Sequence, residues 1–536
     1  MLGLGWRIAG AAACWIVGVA VPPADAGVWI LKLLLMADGL LLIGLPRLAG
    51  PAARFAPLWQ PRLEGSANQE PRLWRGWLVA LLGVALALRL IALNTDLWMD
   101  EVFTLVRTVR PPAARLLTVF VDDNQHTLYS LLAKGSVATF GESAWALRLP
   151  AVLFGVAGVW TAARLAELVF GAREALLAAA ALTVSYHDVW FSQNARAYTL
   201  LLCLATLATE LLLHALRSGR WRHWLLYAVA LFAAAFAHLT AVLFAVGQAA
   251  VTVALLIRDG RPWRDWQRPA VAYALAGWLT LHVYALVIPQ MVAFFSQPGA
   301  GSAPQSLWTQ PMWMIGAILG PLSGAEWIAA AAGLLAAAAS AWWLWRRDWV
   351  FVALTVAPAL TAIAVMLGLG RSLWPRSFFH LLGLAVIALA AVTIAFGDWL
   401  GQHQPKARYA PAALVLVAAL VTLPAVYRYP KQDYTGARDF VLSQLEPGDT
   451  VAALHMAGRV YSLYYEPEWP EIETVEELDA AESATGRTWV IHSLPSYLAT
   501  RRPDLTAILR SRYEPVRTFP GTLGDGDLFV LRSKSR

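Results

Sequence analysis

The sequence is poor in charged residues and almost free of cysteine. Only 14% of the 536 residues are charged, whereas 58% are hydrophobic, and so much apolar surface cannot be hidden inside a water-facing core. These proportions exclude a cytosolic enzyme, a disordered chain and a secreted disulfide scaffold. The two cysteines, Cys14 and Cys203, both lie in apolar runs. No disulfide or metal framework can therefore be built from them.

Motifs of soluble nucleotide and metal chemistry are also missing. We find no zinc-ligand spacing, P-loop, G-x-S-x-G or dinucleotide fingerprint in the required context. The net charge is +7, but residues 428–536 carry 13 Lys and Arg against 16 Asp and Glu, so the positive excess lies between the apolar segments. This distribution indicates membrane topology and not a nucleic-acid surface.

The sequence does contain repeated apolar runs long enough to cross a bilayer about 30 Å thick. We predict an all-α polytopic membrane protein with about thirteen transmembrane helices and a small C-terminal α/β domain. The predicted regions are an N-terminal helical hairpin with a basic cytoplasmic loop (1–75), a transmembrane module (76–428) with an outer loop (95–125), and an extracytoplasmic domain (429–536). Placing the Arg-rich breaks in the cytoplasm gives a multi-pass protein of the inner (plasma) membrane.

Two segments have to be assigned before this topology is complete. The short amphiphilic segment 126–141 is predicted to lie as a helix on the outer surface, because a full span there would invert everything that follows. The first 27 residues fit either a first span or a cleaved signal, since Arg7 precedes an apolar run and Ala24–Ala26 resembles a cleavage site. Both alternatives leave the later sidedness unchanged.

The C-terminal region, residues 429–536, is more polar and contains short segments with strand-like or helix-like residue patterns. The predicted elements are strands at Val451–Leu454, Thr488–His492 and Leu528–Arg532, helices at Asp439–Leu445 and Ala499–Arg510, and a turn at Gly524–Asp527.

Asp100 and Glu101 are the most informative polar pair, because they follow a predicted span directly. Adjacent carboxylates at a membrane surface are costly unless they are solvated, paired or used. An ordinary polar loop is one interpretation. The other is that one carboxylate, with its pKa raised by partial burial and by its neighbour, is a general base that deprotonates a hydroxyl.

Further candidates are polar side chains at predicted outer positions, each with a structural alternative. Asp123, Asn124 and His126 suit a hydroxyl clamp or a helix cap. The cluster between two spans suits a sugar stacked on an aromatic ring, or an interfacial aromatic belt. Arg148 suits a phosphate or a loop carboxylate as partner, whereas Arg371 and Arg376 suit a phosphate or snorkelling to lipid headgroups. His238 suits packing more than ligand binding. The cluster between two spans consists of Asp188, Gln193, Asn194, Arg196 and Tyr198. The arginines outside it are Arg148, Arg371 and Arg376.

These motifs, in this order, resemble bacterial glycosyltransferases of the GT-C fold, in particular the family 39-like group of dolichyl-phosphate-mannose protein mannosyltransferases and aminoarabinose transferases. The matching stretches are Asp100–Glu101, Asn124–Leu132, Gly141–Pro150, Ser192–Leu200, Pro375–Phe378 and Pro430–Arg438.

The resemblance implies transfer of a sugar, with inversion, from a polyprenyl-phosphate donor to an acceptor hydroxyl at the outer membrane face. The acceptor would be a protein, a glycan or a lipid. Asp100 would be the general base, Glu101 its neighbour in the site, and Arg148 and Arg376 would contact a loop or the carrier phosphate. No soluble cofactor is implied.

Two departures from the family pattern qualify the resemblance. Thr127 stands where a first proline is usual, and Asn194 replaces the usual glutamate, so an acidic contact or metal ligand is lost there unless Asp188 substitutes. We therefore do not predict a bound metal, although related enzymes can use a divalent one. The rival functions are a transporter or flippase for a lipid-linked sugar, which would place ionisable groups at mid-membrane, and a structural partner in an envelope assembly.

Overall fold

The computed structural model describes residues 26–44, 56–61, 71–122, 125–296, 326–371, 373–482 and 486–534. Several sequence predictions lie outside these ranges: the signal-like segment before residue 26, much of the basic cytoplasmic loop in region 1–75, and the candidates Asp123 and Asn124.

Within the described ranges, the residues up to 428 form helices joined by turns and loops. The helices are α1 (Ala26–Gly44), α2 (Pro71–Leu90), α3 (Met99–Phe103), α4 (Ala113–Thr118), α5 (Thr127–Phe140), α6 (Ala144–Val169), α7 (Ala172–Thr183), α8 (Tyr186–Ser192), α9 (Tyr198–Ser218), α10 (Trp221–Ala237), α11 (Ala241–Arg258), α12 (Trp263–Tyr284), α13 (Ile288–Phe295), α14 (Glu326–Gly368), α15 (Leu382–His403) and α16 (Ala410–Thr422). A π-helical stretch, Thr104–Val109, continues α3, and 3₁₀ turns flank α15 and α16 at Pro375–Leu381, Pro405–Tyr409 and Leu423–Val426.

Several of these helices are long and apolar enough to cross a membrane. Within the described ranges six pass on length and hydropathy, and a seventh is added if α12 and α13, which meet at an angle of 85°, form one broken span. The chain is therefore a multi-pass membrane protein. The total of about thirteen spans stays a prediction.

Local residue chemistry explains where helices end and bend. Ser143 caps α6, its hydroxyl accepting a hydrogen bond from the Ala146 amide, and Gly219 ends α9 in the left-handed region at φ 60°. Helix α14 changes direction at Asp348, whose φ of −150° is not helical. The Asp348 carboxylate accepts the Phe351 amide at 3.0 Å and so begins the second half.

Among the described residues, the largest apolar core lies between α2, α6, α7, α9, α10, α11, α12, α14 and α15. One helix crossing in it depends on a glycine. A Cβ on Gly247 of α11 would stand 2.4 Å from the Cα of Pro358 in α14, so only glycine allows this approach. The small residue thus fixes how the two helices pack.

The C-terminal region contains a five-stranded mixed sheet with helices packed on it. Its elements are α17 (Tyr434–Gln444), β1 (Thr450–Leu454), α18 (His455–Val460), β2 (Glu471–Ile472), α19 (Val475–Ala481), β3 (Thr488–Ser493), α20 (Pro495–Arg501), α21 (Pro503–Arg512), β4 (Tyr513–Phe519) and β5 (Leu528–Ser533). The strand order is β2-β1-β3-β5-β4. Strands β2, β1 and β3 are parallel, whereas β5 runs antiparallel to both β3 and β4.

The three strands predicted from the sequence are present as β1, β3 and β5. The helix predicted at Ala499–Arg510 is instead two helices, because Pro503 starts a new one after the non-helical Arg502. Strand β4 was not predicted. Its Pro515 interrupts the strand pattern, which is tolerated because β4 lies at the sheet edge and its register shifts there.

Candidate active site

The two candidate carboxylates lie in the first turn of the short helix α3, after the irregular loop 91–98. Asp100 is 3% exposed and Glu101 is fully buried. Their side chains enter different surroundings, although the residues are adjacent. Carboxylates are favoured in a first turn by the unpaired amides of the helix start.

Glu101 forms a buried ion pair with Arg148 of α6. The guanidinium meets the carboxylate at two points, with distances of 2.8 and 2.6 Å. Glu101 also accepts the Ala195 amide at 2.7 Å. Burial opposes ionisation, but the charge and hydrogen bonds of Arg148 outweigh it and lower the pKa of Glu101. Glu101 is therefore an anion held in place and not an available base.

Arg148 holds the loop as well as the carboxylate. Its remaining N–H groups donate to the backbone carbonyls of Leu93, Thr95 and Asp96 at 2.8, 3.0 and 2.7 Å. The side chain is 1% exposed. Of the two anionic partners that the sequence allowed for Arg148, a phosphate or a loop carboxylate, the structure provides the carboxylate.

Asp100 is flanked by two other arginines. Its Oδ2 atom lies 3.7 Å from Nη1 of Arg196 and 3.5 Å from Nη1 of Arg376. Neither contact has the close bidentate geometry of the Glu101–Arg148 pair. The side chain of Arg376 is 38% exposed, whereas that of Arg196 is 2% exposed. One carboxylate oxygen of Asp100 therefore faces two guanidinium groups.

Aromatic rings and two histidines surround Arg196. Its guanidinium lies 5.9 Å from the ring of Tyr198. The His126 ring lies 4.7 Å from that of His238 and 5.6 Å from that of Tyr198. Burial and the charge of Arg196 lower the pKa of His126, and the same causes lower that of His238 to about 3. Both imidazoles are neutral at physiological pH.

A narrow cleft opens beside Arg196. Its lining combines cations with hydroxyl and amide groups. The lining side chains include Arg107, Thr108, Asp122, Gln125, His126, Ser130 and Arg196. Because Arg196 contacts both this cleft and Asp100, the two features form one site.

The remaining candidates of the 188–194 segment contact neighbouring protein groups. Asp188 forms a buried ion pair with Arg89 at the end of α2, so its side chain does not replace the carboxylate lost at Asn194. Gln193 donates to the backbone carbonyls of Arg89 and Ile91. The side-chain oxygen of Asn194 accepts the Trp98 indole N–H at 3.0 Å.

The two arginines of the 371–376 turn differ in their contacts. Arg376 reaches Asp100, but Arg371 donates to the backbone carbonyl of Phe295 at 3.0 Å and lies over its ring. In the described part of the chain, no three His, Cys, Asp or Glu side chains are grouped as a metal site. Asp100 has guanidinium neighbours where a metal would need further ligands, so these residues do not fit a bound cation.

Three residues of the site region were missed from the sequence. Arg89 was hidden at the end of an apolar helix, where a buried cation predicts a buried anion. Lys431 is buried, and its ammonium donates to the backbone carbonyl of Gln193. Gln432 is fully buried and contacts α3. Lys431 and Gln432 both lie in the matching stretch Pro430–Arg438, but a single sequence does not show which residues they contact.

Residues 126–289 match the family model of dolichyl-phosphate-mannose-protein mannosyltransferases. This confirms over that segment, less than a third of the chain, the resemblance to GT-C glycosyltransferases. The matched segment contains His126, Arg148, Arg196 and His238. A comparison with curated protein sequences finds no match.

Among solved structures, the chain is similar to two crystal structures of the aminoarabinose transferase ArnT from Cupriavidus metallidurans. The undecaprenyl phosphate complex is 13% identical with a TM-score of 0.47, and the apo state is 15% identical with a TM-score of 0.48. Both matches cover 85% of this chain and 98% of the other. The oligosaccharyltransferase of Archaeoglobus fulgidus, in complex with Zn and sulfate, is 12% identical, with coverages of 84% and 72% and a TM-score of 0.46.

Proposed function

We propose that this protein is a membrane glycosyltransferase that moves a sugar from a polyprenyl-phosphate donor to an acceptor hydroxyl, with Asp100 as general base. The observation that carries the proposal is the contrast between adjacent carboxylates. The negative charge of Glu101 is balanced by the guanidinium of Arg148 at 2.6 Å. Asp100 instead lies 3.7 Å from Arg196 and 3.5 Å from Arg376, at longer distances than the Glu101–Arg148 pair. Asp100 is the carboxylate that remains available to take a proton.

The proposed reaction is a single displacement. The acceptor hydroxyl gives its proton to a carboxylate oxygen of Asp100 while its oxygen bonds to the anomeric carbon. The bond from that carbon to the phosphate oxygen breaks, and the phosphate leaves with the electron pair. Attack from the face opposite the leaving group inverts the anomeric carbon. Because phosphate is a good leaving group, no strong general acid is required.

The cations of the site supply the electrostatic part of this chemistry. Arg376 is partly exposed and Arg196 is buried beside the cleft. Guanidinium groups bind phosphate oxygens through paired N–H donors, so both suit binding of the phosphate of the carrier lipid. The neutral imidazoles of His126 and His238 and the ring of Tyr198 suit a sugar, which stacks on aromatic faces.

The proposal includes a location and a sidedness. With the Arg-rich breaks in the cytoplasm, Asp100 and the C-terminal region lie on the outer face of the inner (plasma) membrane. The acceptor is a protein, a glycan or a lipid that is accessible from that face.

Mass spectrometry of envelope glycans and lipids, with and without the gene, tests this function. We expect one glycosylated species to disappear in the deletion strain and the polyprenyl-phosphate sugar to accumulate. Reintroducing the wild-type gene should reverse both changes. An unchanged envelope profile together with an unchanged donor pool would contradict the proposal. Accumulation of the donor on the cytoplasmic side would instead support a flippase.

A further inference from the structure

The C-terminal region contacts the loop before Asp100 at three points. Thr435 donates its backbone amide and its hydroxyl to the Asp96 carboxylate at 2.7 and 2.9 Å. The Tyr465 hydroxyl donates to the backbone carbonyl of Leu97 at 2.9 Å. The Gln432 side-chain oxygen accepts the Met99 amide at 3.1 Å. The contacts therefore fall on three of the four residues that precede Asp100.

These contacts lie where the loop has little support of its own. Residues 95–98 are outside regular secondary structure. Helix α3 begins at Met99, whose backbone amide has no helical partner because it is in the first turn. Gln432 supplies the missing acceptor. The direction in which α3 starts, and with it the position of the Asp100 side chain, is therefore set in part from the C-terminal region.

The contacting side chains are held rigidly from behind. Gln432 is fully buried and donates to the Gly526 carbonyl at 3.2 Å. Tyr434, between Gln432 and Thr435, stacks on Tyr465 with ring centroids 5.2 Å apart. A side chain fixed by packing and hydrogen bonds can hold a partner within the narrow limits that catalysis needs.

Other contacts dock the C-terminal region without touching this loop. Thr522 accepts the indole N–H of Trp190 at 3.0 Å, and Lys431 contacts the Gln193 carbonyl and the Trp190 ring. Losing one loop contact should therefore leave the region docked. This separates positioning of Asp100 from docking of the whole region.

We infer that Gln432, Thr435 and Tyr465 are positioning residues, which act through the 96–99 backbone and the Asp96 side chain to orient the Asp100 carboxylate. This inference rests on the proposed function, because it assigns the C-terminal region a part in the same reaction. Asp100 is then held from two sides. Arg148 fixes the loop from the transmembrane module, and these three residues fix it from the C-terminal region.

A pair of tyrosine variants tests the inference in the full-length protein. Tyr465→Phe removes the hydroxyl that reaches Leu97. Tyr461→Phe removes a hydroxyl that bonds only within the C-terminal region, to the Tyr434 carbonyl at 2.9 Å. Hydrogen–deuterium exchange of a peptide covering 95–104 reports loop order without any substrate. We expect faster exchange there in Tyr465→Phe and wild-type exchange in Tyr461→Phe.

Activity of the same pair completes the test. The donor is the lipid extract of membranes that lack the protein, diluted in series, and the product is followed by mass spectrometry. Tyr465→Phe should lower the maximal rate about two- to tenfold with the half-maximal dilution unchanged, and Tyr461→Phe should match the wild type. Thr435→Val should behave like Tyr465→Phe, and Thr435→Ser should restore the rate.

The outcomes separate the inference from the proposed function. If the wild type transfers sugar but Tyr465→Phe matches Tyr461→Phe in exchange and in rate, the positioning role is wrong. If Thr435→Ser is as slow as Thr435→Val, the hydroxyl contact to Asp96 does not position the loop. Absence of transfer by the wild type overturns the proposed function, while the exchange measurement still decides whether the C-terminal region orders the loop.

Discussion

At the scale of single residues, Asp100 and Glu101 follow one another and have opposite environments. Glu101 is enclosed by Arg148 and the Ala195 amide, whereas Asp100 lies between two looser arginine contacts. The sequence predicted that the pair was unusual and that Arg148 needed an anion. Which carboxylate Arg148 pairs with depends on the path of the loop, and a residue pattern does not contain that path.

Breaking the Glu101–Arg148 pair should be severe. Glu101→Gln leaves the Arg148 charge buried without a counter-ion, so we expect a loss of about 3–5 kcal/mol in stability. Glu142→Gln, which removes the exposed partner of Arg110, should cost no more than about 1 kcal/mol. Thermal unfolding of both variants in the same detergent measures the difference. Equal losses would contradict the structural role of the buried pair.

The same pair gives a pH dependence with a definite sign. The folded-state pKa of Glu101 is lowered, so its ionisation stabilises the protein fully above the unfolded pKa of about 4.3. That contribution is lost as the pH falls through the lowered value. Melting temperatures measured from pH 6 downward should fall in the wild type. The fall should be smaller in Glu101→Gln, and identical slopes would show that Glu101 does not titrate in this way.

Arg376 and Arg371 form a matched pair for the phosphate contact. Arg376 lies 3.5 Å from Asp100, whereas Arg371 contacts Phe295. Arg376→Ala should raise the apparent KM for the donor before it lowers kcat, because it removes binding to the carrier phosphate. Arg371→Ala should change both values less. A fall in kcat alone for Arg376→Ala would reject the phosphate contact.

At the scale of elements, hydrophobic periodicity predicted the helices and strands correctly where apolar residues dominated the segment. The apolar runs and the strands β1, β3 and β5 followed from their patterns. Strand β4 did not, because Pro515 and polar neighbours hide an edge strand whose partner is β5. The division of Ala499–Arg510 at Pro503 also depends on local backbone sterics that an averaged helical pattern overlooks.

Two helix glycines test the packing of these elements. Gly247→Ala places a Cβ against the backbone of Pro358, 2.4 Å from its Cα, which should cost roughly 1–3 kcal/mol through overpacking. Gly277→Ala in α12 meets nothing within 4 Å and should be neutral or slightly stabilising. Thermal unfolding distinguishes them. A stable Gly247→Ala variant would mean that α11 and α14 do not approach this closely.

At the scale of the whole molecule, the C-terminal region is docked by residues that a single sequence does not single out. Lys431 and Gln432 look like ordinary polar residues of a linker, but both are buried against the transmembrane module. Their role depends on contacts between residues more than 200 positions apart. Such pairings require the fold, so the docking could not be predicted together with the strands.

Lys431 should make this docking depend on pH. Burial lowers its pKa to about 7, whereas the unfolded side chain titrates near about 10.4. Between these values the unfolded chain binds more protons, so stability should rise with pH. We expect the wild type to gain thermal stability from pH 7 to 9 relative to Lys431→Met. The exposed Lys534 provides the control variant Lys534→Met, which should follow the wild type. A gain retained in Lys431→Met would contradict this role.

The central claim is that Asp100 removes the proton of the acceptor hydroxyl, and Asp100→Asn tests it most directly. The substitution preserves side-chain size but removes the basic oxygen. Sugar transfer should be followed by mass spectrometry in cells that carry the wild type, Asp100→Asn or Asp504→Asn, the last being an exposed carboxylate paired with Arg502 in the C-terminal region. We predict that Asp100→Asn is produced and folded at wild-type levels and gives no product, while Asp504→Asn retains transfer. Wild-type transfer by Asp100→Asn would contradict the account.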